Sequence, residues 1–342
     1  MAANKPSNVQ LPEADASAAT DTQVLPTNGA ANKPSNVQPQ EVDVPAATDT
    51  QVLPTNGAAN KPSNVQLPEA DASAATDTQV LPTNGAANKP TDLQLLKPNW
   101  SAPAHIQAFS STRIGGYSQG AYAGLNLGLH VADDPLVVCQ NRSLLSKTLS
   151  LPENLCWLNQ IHSTILLRIE QKLPVDISAD ASWTTEQQQP CIVMTADCLP
   201  VLITDKLGTF VCAVHAGWRG LFDGIIEKSI ASICQTLGVN SENLLVWLGP
   251  CIGNTAFAVG DEVRSAFIAD NEQATGAFTP FEDRWLADLH HLARLRLAPF
   301  QVFEISASEH CTYNEAELFY SYRRDNITGR MATLIWINET AK

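Results

Sequence analysis

Apolar positions along the chain fall into two regimes that meet near residue 98. Before it, isolated Val, Leu and Ala sit amid Pro, Thr, Asn and Asp and offer no apolar face. After it, short apolar runs alternate with helix-like stretches. Runs at 155–158, 164–169, 191–195, 201–204, 210–214, 244–248, 302–306 and 331–337 have the length and composition of strands. Asp134-Pro135, a capping residue followed by proline at the first helical position, and then Leu136, Leu144, Leu145 and Leu149 predict a helix over about 135–149. The clearest helix begins near Leu221: Leu221, Phe222, Ile225, Ile226, Ile230, Ile233 and Leu237 repeat at three and four, and Gly238 is a natural stop. Weaker helices cover about 261–269 and 284–297. Pro200 inside an apolar run points to an edge position or a strand start. The order is mixed, without regular βαβ units. We therefore expect an α/β (α+β) layered sandwich, mixed sheets flanked by helices, as one domain over 99–342.

Residues 1–98 contain no aromatic residue, Cys, His or Arg. A segment with nothing large to bury cannot offset the entropy of ordering its backbone. Ala-Asn-Lys-Pro-Ser-Asn-Val-Gln starts at Ala3, Ala31 and Ala59, a period of 28, with a degraded copy at Ala87. Each unit carries one Lys against three acids (Lys5 against Glu13, Asp15 and Asp21). The sequence thus predicts a disordered acidic tether over 1–98, rather than a solenoid. Its partner is unknown.

The formal net charge of −14 disfavours nucleic acid or an anionic membrane as a bulk electrostatic partner. No apolar run reaches membrane-spanning length, and no signal-peptide pattern opens the chain. All eight Cys lie beyond residue 98, several of them inside apolar runs as buried thiols do. Reduced thiols in the cytoplasm are the expectation.

Chemistry concentrates where strands meet loops. His162, Cys198 and His215 stand in Asn-Gln-Ile-His, Thr-Ala-Asp-Cys-Leu-Pro and Ala-Val-His-Ala-Gly-Trp-Arg-Gly. Two imidazoles and a thiol are what a catalytic zinc site takes when its fourth position stays open. Their separations, 36 and 17 residues, are too long for a zinc finger and suit delivery from neighbouring strand ends. Asp197 can orient an imidazole, act as an acid/base, or cap a turn. Arg219 follows the His215 strand at a helix start and can hold a phosphate or carboxylate, or simply lie on the surface. Arg113 precedes the Gly115-Gly116 pair, Arg323 lies in an aromatic, arginine-rich run, and Cys251 is a second candidate thiol. An ion pair of an Arg with Asp325 explains that run equally well.

Asn159-Gln-Ile-His162, Ala196-Asp-Cys198, Val214-His-Ala-Gly-Trp-Arg-Gly220, Gly249-Pro-Cys-Ile-Gly253 and Ser321-Tyr-Arg-Arg324 resemble the signature set of the YfiH-type family. Asn126-Leu-Gly-Leu-His130 and Cys311-Thr312 fit as well. Members of that family have been called laccase-domain protein, polyphenol oxidase, purine nucleoside phosphorylase and peptidoglycan editing factor. The resemblance spans about 100–340 and leaves out the repeats. It implies an α/β/β/α sandwich with zinc on His162, Cys198 and His215. It also implies phosphorolysis of adenosine, inosine and 5′-methylthioadenosine, and deamination of adenosine. Catalytic work then falls to Asp197, Cys198, Arg113 and Arg219, and the binding of purine nucleoside and phosphate to Arg113, Asn126, Arg219 and Arg323. Two rival chemistries carry different signatures. A copper-dependent polyphenol oxidase needs more ligands than seven His without a His-x-His pair supply easily, although copper can occupy such a site. An amidase editing peptidoglycan precursors can use Cys198 as nucleophile, or zinc.

Overall fold

A computed structural model of the protein describes residues 93–152 and 155–339. Strands β1 (Leu95–Leu96), β2 (Ile106–Ser111), β3 (Leu166–Arg168), β4 (Ala181–Thr184), β5 (Cys191–Thr195), β6 (Leu199–Asp205) and β7 (Val211–Ala216) are followed by β8 (Leu244–Leu248), β9 (Ala258–Val259), β10 (Phe278–Phe281), β11 (Arg284–Ala287), β12 (Glu304–Ala307) and β13 (Met331–Ile337). The helices are α1 (Pro135–Thr148), α2 (Trp218–Phe222), α3 (Ile225–Leu237), α4 (Asp261–Asp270), α5 (Leu289–Leu297) and α6 (Tyr322–Asp325).

Two sheets form the centre, a wholly antiparallel one ordered β1-β2-β13-β5 and a mixed one ordered β12-β8-β6-β7-β4-β3. In the larger sheet β12 runs parallel to β8 and β3 parallel to β4, while β4-β7-β6-β8 is antiparallel. Strand β7 shows how the sequence builds layers. Val211 and Ala213 join the core shared with Val193 and Ile335 of the smaller sheet, whereas Cys212, Val214 and Ala216 face the helix side. Such alternation is the period of two expected when both faces are covered. On the helix side, Ile225, Ile226, Ile230 and Ile233 of α3 pack with Leu289, Leu292 and Leu297 of α5 against the larger sheet. Full burial of each such side chain contributes about 1.5–3 kcal/mol. On the opposite face, Leu145 of α1 packs on Ile192, Leu334 and Trp336 of the smaller sheet. The result is the layered α/β/β/α sandwich expected. A third sheet, β10-β11-β9, lies beside it.

The structure moves several boundaries. The helix predicted from Leu221 is two helices, because Gly224 at φ +83° turns the chain between α2 and α3. The stretch 284–297 splits into β11 and α5, where Asp288 caps the helix by accepting from the His291 N–H at 2.9 Å. The 155–158 run forms no strand; its Cys156 and Leu158 are simply buried. Pro200 does open a strand, yet β6 is central rather than an edge. Asp134 caps α1 as predicted, accepting from the Leu136 N–H at 2.9 Å.

The repeats through residue 92 lie outside the described residues. Residues 93–98, placed with the tether by their lack of aromatics, instead include a strand of the domain. Leu95 and Leu96 pair with Ser111 and Ser110, and Leu93 and Leu95 pack against the α1-side core. The carbonyl of Gln94 accepts from the Thr112 N–H and hydroxyl. Among the described residues no helix is long and apolar enough to cross a membrane.

Candidate metal centre and active site

Two loops and the end of strand β7 bring the sequence-predicted ligands together. His215 is the fifth residue of β7; Cys198 immediately precedes β6; His162 sits in the loop before β3. Their ligand atoms all lie within 4.8 Å of one another, with Cys198 Sγ 3.9 Å from His162 Nε2. The two imidazoles meet edge-on at a centroid distance of 4.9 Å. Exposure grades from an exposed His162 through a half-buried Cys198 to a buried His215. The backbone is under tension here: His162 (φ +58°) and Asp197 (φ +92°) both adopt left-handed conformations that non-glycine residues avoid. Close approach explains Gly217, where a Cβ would come within 3.0 Å of His162 Cδ2 and 3.1 Å of Cys198 Sγ.

The residue that organises the centre is Asp180, which sequence reasoning missed. It is fully buried one residue before β4. Its Oδ1 accepts from the His162 N–H (3.0 Å) and lies 2.8 Å from His215 Nδ1. Its Oδ2 accepts from the N–H groups of Ser163 (2.6 Å) and Ile161 (3.2 Å) and from the Ser163 hydroxyl (2.8 Å). One carboxylate therefore fixes the His215 ring, leaving Nε2 as its ligand atom, and pins the strained loop that carries His162. Burial favours the neutral acid, but hydrogen bonds from His215 and Ser163 prevail and bring Asp180 down to about 2. Burial likewise opposes ionisation of Cys198, yet His215 and then His162 lower the thiol to about 6. Desolvation disfavours the His215 imidazolium, but the Cys198 sulfur and Asp180 outweigh it and raise that ring to about 9. The site thus stabilises a thiolate beside a positive centre.

These donors fit a single zinc ion. Zinc–nitrogen bonds of about 2.0–2.1 Å and zinc–sulfur bonds of about 2.3 Å put tetrahedral ligand atoms roughly 3.3–3.6 Å apart. The 3.9 Å Cys198–His162 spacing, and the 4.8 Å within which all three ligand atoms lie, call for an inward shift of about 1 Å to reach that geometry. A thiolate and an imidazole anchored through its far nitrogen are the donor chemistry such an ion takes.

Asp197 touches neither imidazole. Its carboxylate accepts from the hydroxyls of Thr312 (2.7 Å) and Ser321 (3.0 Å) and from the Arg323 N–H (2.7 Å), tying the Cys198 turn to the C-terminal segment. Beside Cys198 opens a cavity of about 160 Å³, walled by Trp218, Ile252, Phe257, Leu289, Tyr322 and Arg323. It is small for a drug-sized ligand and suits a single flat ring system. The Arg323 guanidinium donates to Ala258 O at 2.6 Å and lies over Phe257. Arg219 is exposed and covers Trp218. Arg113 braces the backbone, donating to Ala316 O and Ala123 O at 3.2 Å each, and covers Tyr320. Asn126 is fully buried with its amide committed internally: Oδ1 accepts from the Gly128 and Arg330 N–H groups, and Nδ2 donates to Asp133. Its side chain holds a loop and is closed to ligands. Arg324 forms the ion pair with Asp325 at 2.8 Å. Cys251 is buried, and burial pushes its thiol well above the ordinary range.

Residues 107–338 match the family described as multi-copper polyphenol oxidoreductase laccase. Among individual relatives, the chain is 47% identical over 238 residues to purine nucleoside phosphorylase YfiH of Escherichia coli K12, covering 70% of this chain and 96% of that one. It is 44% identical over 242 residues to purine nucleoside phosphorylase PA4543 of Pseudomonas aeruginosa, covering 70% and 97%. Its fold is similar to the crystal structure of Neisseria meningitidis protein NMB0706, with a TM-score of 0.68 and 44% identity over 72% of this chain and 99% of that one. YlmD of Geobacillus stearothermophilus is similar at a TM-score of 0.66 and 29% identity, over 69% and 93%. Matched over its described sandwich and by relatives of nearly full length, the chain belongs to the YfiH-type laccase-domain family of enzymes.

Proposed function

We propose that this protein is a zinc-dependent purine nucleoside phosphorylase. On this reading it converts adenosine, inosine and 5′-methylthioadenosine to the free base and ribose 1-phosphate or its methylthio analogue, and also deaminates adenosine. The observation that carries the reading is the meeting of His162, Cys198 and His215 at the mouth of a small aromatic cavity. His162, Cys198 and His215 would hold the zinc ion, which when bound would supply Lewis-acid chemistry toward an oxygen or nitrogen substituent of the substrate. Trp218, Phe257 and Tyr322 offer ring faces to a purine, and Arg323 closes the cavity with positive charge. Asp180 keeps the His215 ring and the loop that carries His162 in place. Asp197, bound by three donors, holds Arg323 and the Ser321 turn in register with Cys198.

A copper oxidase is less well supported. Among the described residues His162, Cys198 and His215 are the one group of three or more such donors within reach of a shared ion. A single three-donor site does not furnish the several coppers that a multicopper oxidase uses. One observation favours a second reading, an amidase with a thiol nucleophile: Asp180, His215 and Cys198 stand in the order of an orienting acid, a base and a nucleophile. The experiment that separates these is metal analysis of protein purified without added copper, coupled to Cys198→Ala. The phosphorylase reading expects stoichiometric zinc that Cys198→Ala loses together with nucleoside turnover. Stoichiometric copper with phenol oxidation supports the oxidase, and retained zinc with lost amide hydrolysis supports the thiol nucleophile.

A further inference from the structure

Two guanidinium groups and an imidazole that the ligand triad does not use meet at residues 126–130. Arg142 of α1 donates from Nε to Leu127 O at 2.9 Å and stacks over Trp157 at 4.0 Å. Arg330, just before β13, donates its backbone N–H to Asn126 Oδ1 at 2.9 Å and Nη1 to Thr328 O and Gly329 O at 3.1 and 2.9 Å. A Cβ on Gly128 would lie 2.8 Å from Arg330 Cγ and 3.5 Å from His130 Cε1, so both side chains cross the bare face of that glycine. The group borders the metal centre: the Arg330 guanidinium lies 5.9 Å from the centre of the Tyr322 ring, which walls the cavity beside Cys198. Arg330 feels the negative charge of Cys198 and Asp197, and His130 feels Arg330, Arg142 and His215.

No acid neutralises this group: among the described residues none of the three takes part in an ion pair within 4.0 Å. The cost of that arrangement is visible. Burial, then repulsion from Arg330 and Arg142, lowers His130, and burial brings Arg142 down to about 10. Guanidinium groups without an acid partner are what a doubly charged anion binds.

We propose that His130, Arg142 and Arg330 form the subsite for inorganic phosphate, an assignment that rests on the phosphorolysis reading. From there a phosphate oxygen forms the bond to C1′ of the ribose while the C1′–N9 bond breaks. The electron pair leaves with the purine, and the proton given up by hydrogen phosphate balances the base. Two guanidinium forks match the tetrahedral dianion better than ammonium groups do.

The test uses the full chain, zinc-restored, with inorganic phosphate as probe, followed by calorimetry and by the phosphate KM of adenosine cleavage. Arg330→Met and Arg142→Met should each weaken phosphate binding about tenfold or more, and Arg330→Lys about threefold, with circular dichroism verifying the fold. Should a methionine variant fail to fold, Arg330→Lys and Arg142→Lys carry the comparison. Phosphate affinity within twofold of wild type in the folded variants, or no phosphate binding by the wild type, overturns the subsite. Variants with an unchanged phosphate KM in an active phosphorylase overturn it while leaving the phosphorylase reading intact. Phosphate bound through these residues without nucleoside cleavage supports the subsite and removes the phosphorylase reading instead.

Discussion

Replacing Asp180 with asparagine tests how the centre is assembled. The carboxylate collects five donors while fully buried, two on Oδ1 and three on Oδ2. An asparagine has one acceptor oxygen, so its NH2 must face either the His162 N–H and His215 Nδ1 or the N–H groups of Ile161 and Ser163. Either way at least two buried donors lose a charged acceptor. At about 1.5–3 kcal/mol for each hydrogen bond to a charged group, the loss of two should make Asp180→Asn cost roughly 3–6 kcal/mol of stability. Loss of the group that fixes a ligating imidazole should also weaken zinc binding by about 10- to 100-fold. The pH dependence gives a second, signed check. Asp180 falls from its ordinary 3.8 to about 2 in the folded state, so its contribution is fully present above about pH 4 and lost as pH falls through 2. A shift of that size corresponds to about 2 kcal/mol. Urea titrations of the metal-free proteins should therefore show a stability gap between wild type and Asp180→Asn that narrows from pH 5 toward pH 2. A variant with wild-type zinc affinity, measured against a chromophoric chelator, and a gap independent of pH would refute the reasoning.

Other expectations follow from the same geometry. His162→Ala and Cys198→Ala should each lose zinc and nucleoside turnover, read by metal content and product assay. Gly217→Ala pushes a methyl against His162 and Cys198, so zinc affinity should fall at least tenfold while the melting temperature moves by only a few degrees. Deleting residues 1–92 should leave activity and melting temperature nearly unchanged, whereas deleting 1–98 also removes β1 and its Gln94 acceptor and should lower the melting temperature by about 4 °C or more. Equal melting temperatures for the two truncations contradict the placement of Leu93, Leu95 and Leu96 in the core.

The sequence was most legible where pattern and burial coincide. The strands around 191–195, 201–204, 210–214, 244–248 and 331–337 are apolar because both faces of their sheets are covered, and the triad stood out because each ligand ends or precedes such a run. Local chemistry also placed the Asp134 cap. What escaped is non-local. Asp180 lies among Ser178, Ala179 and Ala181 and carries no local signal; only the fold brings five donors to it. Arg330 follows a plain Thr328-Gly329 pair, and its nearness to Cys198 comes from β13 pairing beside β5. Conversely, Asn126 is recognisable in a motif, but its amide closes a loop against Arg330 and Asp133, a structural use that a motif does not distinguish from ligand binding. Helix periodicity overran Gly224 because the apolar spacing continues in phase through α2 and α3.

The most direct measurement is the product of adenosine incubated with chelator-treated and zinc-restored protein, each with and without phosphate. The account predicts adenine and ribose 1-phosphate in the sample containing both zinc and phosphate, inosine where zinc is present without phosphate, and neither product after chelation. Adenosine left intact by the zinc-restored enzyme in the presence of phosphate would contradict it.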